Sequence, residues 1–296
     1  MIKYGKTLTI LAFAFGALAL IGGFLGASHP VGDSLAVFRP YSLGALFFAM
    51  FGFALWRQKW LTYASLGLLV YGGYSLRGQL ITPPPVAGFT LMQHNNRFTN
   101  DTRNLVDFAR ANAPDIITLQ EITTNSVPQL AALRPEYPYQ VICPFATVGG
   151  VAILSKFRFI GAQGEGCVEG LGMVSARVKI PAGEVTVVSL HLNWPWPYGQ
   201  QAQLADVLPA LASLKGPVFI GGDFNMVAWS DVMARIEAAT DTRAIGGIRF
   251  TKSLLSGAVQ LPIDHVLAPS NWPASARLGP RLGSDHNSVI AQFALN

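Results

Sequence analysis

Charge is what this sequence has least of. Only 12% of its 296 residues are Asp, Glu, Lys or Arg, and the mean hydropathy of +0.37 is unusual for a soluble enzyme. Acid is scarcest at the start: residues 1–85 hold Asp33 alone against Lys3, Lys6, Arg39, Arg57, Lys59 and Arg77. The remainder carries equal numbers of acidic and basic residues, so the pI of 9.3 belongs to the N-terminal third. It gives no support for a basic nucleic-acid-binding face on the rest of the chain. There is no internal repeat and no low-complexity tract. Cysteine is limited to Cys143 and Cys167. A bridge between them would suit an oxidising compartment, and two unrelated buried thiols are the alternative. Neither lies in a polar motif, which leaves a cysteine nucleophile without support.

What the N-terminus has in abundance is apolar sequence. The run Leu8 to Ala27 has about the 20 residues that a spanning helix needs. Tyr41 to Trp56 and Leu61 to Leu76 are shorter runs, flanked by Arg, Lys, Trp and Tyr that suit an interface. Residues 1–81 therefore read as a membrane anchor of about three transmembrane helices. The first run could instead be a cleaved signal peptide, but it is long, and two more runs follow. Lys3, Lys6, Arg57 and Lys59 would lie in the cytoplasm, which sends everything after Arg77 to the outer side. The expected location is a bacterial inner (plasma) membrane, multi-pass, with the following domain periplasmic. Residues 82–88, Thr-Pro-Pro-Pro-Val-Ala-Gly, read as a stiff linker, and 89–296 as one domain.

In that domain short β-rich runs alternate with amphipathic helical stretches. Strands are expected at Phe89 to His94, Ile116 to Gln120, Gln140 to Cys143, Gly150 to Leu154, Arg158 to Ala162, Val174 to Ile180 and Val185 to Leu190. Val218 to Ile220, Ile263 to Leu267 and Val289 to Phe293 continue the series. Helices are expected at Thr102 to Asn112, Ser126 to Leu133, Gln200 to Leu214 and Asp231 to Ala239. The most informative stretch is Phe219-Ile220-Gly221-Gly222-Asp223-Phe224-Asn225. Strand residues two apart point the same way, so Asp223 and Asn225 would face one point at a strand's end. The glycines would let backbone or ligand come close. A tight turn uses the same residue types.

Polar residues recur at other strand ends: Asn95, Glu121, His191, Asp264 and Ser284-Asp285-His286. Each has a dull explanation alone. Together, in this order, they resemble the endonuclease/exonuclease/phosphatase superfamily, the group of DNase I, the exonuclease III-type repair nucleases, the inositol polyphosphate 5-phosphatases and the bacterial sphingomyelinases. With the apolar runs in front, the chain looks like a membrane-anchored bacterial branch of it. The resemblance covers roughly residues 89 to 295 and rests most on Gly222-Asp223-Phe224-Asn225 and Ser284-Asp285-His286. It implies an α/β fold, a four-layer α/β sandwich of two packed β-sheets flanked by helices, with the site at one edge.

The roles it implies are those of phosphoester hydrolysis by in-line water attack. Glu121 would be the principal ligand of Mg²⁺ (or Mn²⁺), with Asn95 and Asp285 contributing. Asp223, held by Asn225, or His286, oriented by Asp264, would be the base; His191 would donate to the phosphate or act as general acid. In the repair-nuclease branch an acid lies two residues after the first Asn. Here that position is Arg97, which could bind phosphate instead. His94 reads as packing, and strand alternation should turn His265 away from the site.

Trp194, Trp196 and Tyr198 form a Pro-stiffened loop directly after His191. They could stack on a base, cover a lipid chain, sit in the interface, or pack on their own domain. The partners expected are thus the membrane lipid bilayer and a phosphoester substrate, a lipid head group or nucleic acid. The leading expectation is a membrane-anchored phosphoester hydrolase acting on a phospholipid or other envelope phosphodiester. An extracytoplasmic nuclease is the second, and a metal-binding pseudoenzyme or membrane scaffold the third.

Overall fold

The computed structural model describes residues 2–146, 149–161 and 166–295. The N-terminal third forms α1 (Ile2–Gly22), α2 (Pro30–Ala36), α3 (Arg39–Leu55) and α4 (Lys59–Ser75). Helix α1 packs on α3, and α3 on α4. Among the described residues only α1, over Tyr4–Gly22, is by itself long and apolar enough to cross a membrane. Helices α2 and α3 pass that test only as a pair bent by 63°. Helix α4 has 17 residues, roughly 25 Å, against a hydrocarbon core of about 30 Å. The three spans expected therefore reduce to one, or two if the bent pair is one span. The reason is length: α3 and α4 have 17 residues each, and Arg57, at φ 58°, ends the first of them before it can join the second.

The rest of the chain runs β1 (Gly88–Asn95), α5 (Arg103–Asn112), β2 (Ile116–Gln120), α6 (Val127–Ala131), β3 (Tyr139–Ala146), β4 (Gly149–Ser155), β5 (Phe159–Ile160), β6 (Cys167–Val168), β7 (Met173–Ile180) and β8 (Gly183–His191). It continues α7 (Gln200–Ala212), β9 (Val218–Asp223), α8 (Asp231–Thr240), β10 (Thr242–Ala244), β11 (Lys252–Leu254), β12 (Val259–Leu261), β13 (Asp264–Pro269), β14 (Ala274–Leu278) and β15 (Val289–Ala294). One sheet has the order β14-β15-β1-β2-β4-β3. The other has the order β10-β13-β9-β8-β7-β5, with β6 also on β7. The hairpin β11–β12 stands apart from both. The expected strand ending at Ala162 is β5, and Ala162 lies outside the described residues.

Alternation along the strands builds the layers. Phe89, Leu91 and Ile116 face the second sheet, where they meet Val187, Phe219 and Val266. Their neighbours Met92 and Ile117 face the other way, against Leu105 of α5 and Leu130 of α6. On the far side of the second sheet Val188 and Ile220 pack against Leu204 and Val207 of α7 and Ile236 of α8. This is a mixed α/β structure of two large packed sheets flanked by helices. The two sheets pack tightly at Gly221, where a Cβ would run into Thr118 and Leu91 of the first sheet. A Cβ on Gly222 would run into the Leu190 carbonyl. These glycines serve sheet packing rather than ligand approach.

The disulfide Cys143–Cys167 ties β3, at the edge of the first sheet, to β6 of the second. Its two cysteines are 24 positions apart, and releasing a loop of that size is expected to cost about 3 kcal/mol. Reduction should therefore lower the melting temperature of the wild type and leave a Cys143→Ser/Cys167→Ser variant unchanged. Equal melting of the oxidised and reduced wild type, with both thiols titrated, would refute this.

The N-terminal helices do not simply hang from the linker. Asp33 of α2 accepts from the Asp231 backbone N–H at 2.8 Å, so its buried carboxylate caps the first turn of α8. Trp229 Nε1 donates to the Ala36 carbonyl at 2.8 Å. Tyr41, in the first turn of α3, donates its hydroxyl to the Gln260 carbonyl at 2.8 Å and accepts from the Gln260 N–H at 2.7 Å. The one acid of the N-terminal third is thus a docking residue.

Candidate active site

Strand register brings the polar residues together. Parallel pairing of β8 with β9 sets His191 opposite Asp223, and antiparallel pairing of β13 with β9 sets Asp264 opposite the same residue. In the first sheet the parallel pair β1–β2 sets Asn95 opposite Gln120, so Glu121 comes immediately past the strand end. The site forms where the ends of these central strands of both sheets meet. Arg97, Phe98, Glu121 and Asn225, all close to it, have φ between 47° and 55°. Non-glycine residues adopt that left-handed region uncommonly, and such strain clusters at functional sites.

Asn95 is the joint between the sheets. Its Nδ2 donates to Glu121 Oε1 at 3.0 Å and to Asp223 Oδ2 at 2.8 Å. Its Oδ1 accepts from the Arg97 N–H at 2.8 Å. The amide therefore presents its donor to the carboxylates and its oxygen away from them, which suits a residue that aligns ligands. His191 Nε2 lies 3.6 Å from Glu121 Oε1 and 3.9 Å from Asp223 Oδ2. Asn225 leaves the strand alternation expected of it. Its backbone N–H, not its side chain, holds Asp223 Oδ1, at 2.9 Å, while its Nδ2 donates to the Leu192 carbonyl.

On the other side of Asp223, His286 Nε2 is 3.8 Å from Oδ2. Its Nδ1 is 2.8 Å from Asp264 Oδ2, and the other Asp264 oxygen accepts from Gln93 Nε2 at 2.8 Å. Gln93 also reaches Gln120 Oε1 at 2.9 Å. Gln120 belongs to the Leu119-Gln120-Glu121 motif with no role given to it, whereas Gln93 has no place in the motif pattern; its signal is a buried amide inside an apolar strand. Asp285 stands further out. Its Oδ2 is 2.5 Å from Lys252 Nζ and 3.6 Å from Arg97 Nε, and its Oδ1 is 3.8 Å from His286 Nε2. Lys252 sits on β11 in a hairpin that the apolar periodicity does not mark.

Trp194 and Trp196 are exposed. The Trp196 carbonyl accepts from Ser34 Oγ of α2 at 2.8 Å, and its ring lies edge-on to His29. The structure thus ties this loop to the N-terminal segment and does not bring Trp196 to the carboxylates. His265 turns away as expected, with Nε2 2.9 Å from the Met226 carbonyl. His94 is fully buried, with neither ring nitrogen hydrogen-bonded.

Burial pushes the Glu121 carboxyl up, against the lowering pull of the Asn95 amide and of the His286 and Lys252 charges. Burial, then the neighbouring Asp264 carboxylate, pushes Asp223 up to about 7. His191 is held down to about 4 by burial, so it is neutral at pH 7. Burial also opposes charge on His286, but the Asp264 and Asp223 carboxylates overcome it and raise its pKa to about 9. Asp264 is itself lowered, because His286 outweighs the burial that would raise it.

Glu121, Asp223 and His191 offer ligand atoms within 4.8 Å of one another, as do Asp223, Asp264 and His286. In the second group both Asp264 oxygens are already hydrogen-bonded. In the first, the buried Asp223 and the partly buried Glu121 share one amide donor. That donor set fits a hard divalent ion.

A family model described as Endonuclease/Exonuclease/phosphatase family matches residues 86–286, more than half of the chain. The chain belongs to the endonuclease/exonuclease/phosphatase family. Members of this family are hydrolases acting on phosphoesters. Among solved structures, an endonuclease/exonuclease/phosphatase protein of Bacteroides vulgatus superposes with a TM-score of 0.57 at 15% identity, over 70% of this chain and 99% of that one. A mutant of beta toxin from Staphylococcus aureus with bound magnesium ions gives 0.55 at 14% identity, over 70% and 100%. The human Nocturnin catalytic domain with bound sulfate gives 0.53 at 17% identity, over 69% and 94%. By sequence, a UPF0294 protein of Vibrio vulnificus (strain CMCP6) is 31% identical over 130 residues, 42% of this chain and 44% of that protein. The match to the curated relatives spans under half of their length.

Proposed function

We propose that this endonuclease/exonuclease/phosphatase protein is a divalent-metal-dependent phosphoester hydrolase that works by in-line attack of water. The observation that carries the reading is the pair of carboxylates, partly buried Glu121 and buried Asp223, drawn together by Asn95 beside a carboxylate-bound imidazole. Mg²⁺ or Mn²⁺, held by Glu121 and Asp223, would supply charge neutralisation for the phosphate. Asp223 takes the proton of the attacking water as the water oxygen bonds to phosphorus and the bond to the leaving oxygen breaks. The Asn225 N–H on Oδ1 and the Asn95 amide on Oδ2 fix the carboxylate in one orientation for that base role. His286, held protonated by Asp264, is a poor base and a good partner for the phosphate oxygens. Neutral His191 donates a hydrogen bond to the same group or to the leaving oxygen.

The chain works at a membrane in this reading. Most of the large apolar side chains left exposed belong to residues 4–81, including Leu8, Phe15, Phe47, Phe51, Trp60 and Val70. One span after Lys3 and Lys6 leaves the rest of the chain outside, where a disulfide persists. The substrate this favours is a phosphodiester of the envelope, with phospholipid first. Full-length protein in detergent should release product from bis-p-nitrophenyl phosphate with Mg²⁺ and none with EDTA. Phospholipid vesicles and single- and double-stranded DNA, assayed in parallel, sort the substrate. DNA cleavage with intact vesicles would replace the lipid by nucleic acid, and bound metal without any turnover would point to a pseudoenzyme.

A further inference from the structure

Lys252 is left without a role by the mechanism above, although its ammonium is at the site. The hairpin that carries it is fixed from two sides. Against the site, Lys252 forms a backbone bridge with His286, and Asn287 N–H donates to the Thr251 carbonyl at 2.8 Å. Away from it, Ser253 Oγ donates to Gln260 Oε1 at 2.9 Å, and Tyr41 of α3 clasps the Gln260 backbone. The Lys252 side chain is only 12% exposed. Its one side-chain partner among the described residues is Asp285, at 2.5 Å. An ammonium carries three donors, so two remain for a ligand.

Asp285 adds the second half of the argument. Lys252 and Arg97 both approach its Oδ2, at 2.5 and 3.6 Å. Its Oδ1 is buried, has no hydrogen-bond partner and faces His286. A dication bound at this carboxylate would sit against a fixed ammonium and a guanidinium at once. Asp285 belongs to neither of the two groups that bring metal-ligand atoms together.

We infer that Lys252 is the resident cation of this site. Its ammonium stands beside Asp285 where a second metal ion would otherwise sit, and donates to a non-bridging oxygen of the scissile phosphodiester. The site then takes a single dication, on the Glu121 side. Lys252 binds substrate and transfers no proton. The inference rests on the hydrolase reading, and its test separates the two.

Full-length wild type and the variants Lys252→Gln and Lys252→Arg would be titrated with Mn²⁺ by calorimetry and assayed on bis-p-nitrophenyl phosphate. The wild type is expected to bind one Mn²⁺. Lys252→Gln should lose about 10²-fold in kcat/KM, the scale of one donor at a developing charge. Lys252→Arg, which keeps the charge in another shape, should recover most of that loss. Two Mn²⁺ in the wild type, one of them lost in Asp285→Ala, would overturn the inference. So would wild-type kinetics in Lys252→Gln. A wild type that hydrolyses nothing refutes the hydrolase reading instead, and the Mn²⁺ stoichiometry then judges Lys252 alone.

Discussion

Asp223→Asn is expected to lower kcat by at least about 10³-fold with the fold intact. Asp223 is 1% exposed, and its carboxylate is the point to which both sheets contribute. The asparagine oxygen can still accept the Asn225 N–H, so the strand end keeps its shape. The other oxygen becomes an amide that faces the Asn95 amide, donor against donor. The residue can no longer take a proton, and it offers a metal one neutral oxygen in place of a carboxylate. The measurement is kcat on bis-p-nitrophenyl phosphate at saturating Mg²⁺, with near-ultraviolet circular dichroism to check the fold. A kcat within about ten-fold of wild type would sink the assignment of Asp223 as base.

Asp264→Ala should have the largest effect on stability. Asp264 is fully buried and holds the ring of a buried His286. Removing one partner of a buried charge pair costs about 3–5 kcal/mol, because the other charge is left uncompensated. The cost depends on pH in a defined direction. In EDTA, His286 titrates near 9 in the folded protein, above its ordinary 6.5. Its contribution to stability is therefore complete below about 6.5 and is lost as the pH rises through 9. Asp264 is shifted down from 3.8, so its contribution is present above that value and lost as the pH falls below it. The difference in urea midpoint between wild type and Asp264→Ala should be greatest between about pH 4 and 6.5 and shrink towards pH 9. A difference that grows from pH 6 to 9 would show that the pair is not ionised in the native state. Activity should fall as well, since an unoriented His286 no longer meets the phosphate.

The structure also changes what the N-terminal third does. A docked α2 and α3 hold the loop that follows His191, through Ser34 and the Trp196 carbonyl, and the hairpin of Lys252, through Tyr41. Removing residues 1–81 would therefore disturb the site's borders as well as any membrane attachment.

Sequence alone determined which residues could do chemistry, because that information is local. An acid, an amide or a histidine at the end of an apolar run is visible without a fold, and so Asn95, Glu121, His191, Asp223, Asp264 and His286 could all be named from it. The alternation of strands and helices was legible for a related reason, since their periods are written in neighbouring residues, whereas the two packed sheets were implied by the family resemblance. What the tertiary structure alone decided were relations between residues far apart in the chain. Register across β8, β9 and β13 placed His191 and Asp264 beside Asp223, and the packing of two sheets at Gly221 let Asn95 span Glu121 and Asp223. The short hairpin β11–β12, too brief to show a period, carried Lys252 to Asp285. Asp33, marked in the sequence only as the lone acid of its third, and Tyr41, the first residue of an apolar run, became contacts with α8 and Gln260. Helix ends likewise depended on where Gly22 and Arg57 turned the chain, which hydropathy does not record. Residue type fixes what a side chain can donate, accept or bind; only the fold fixes which other side chain is within 3 Å of it.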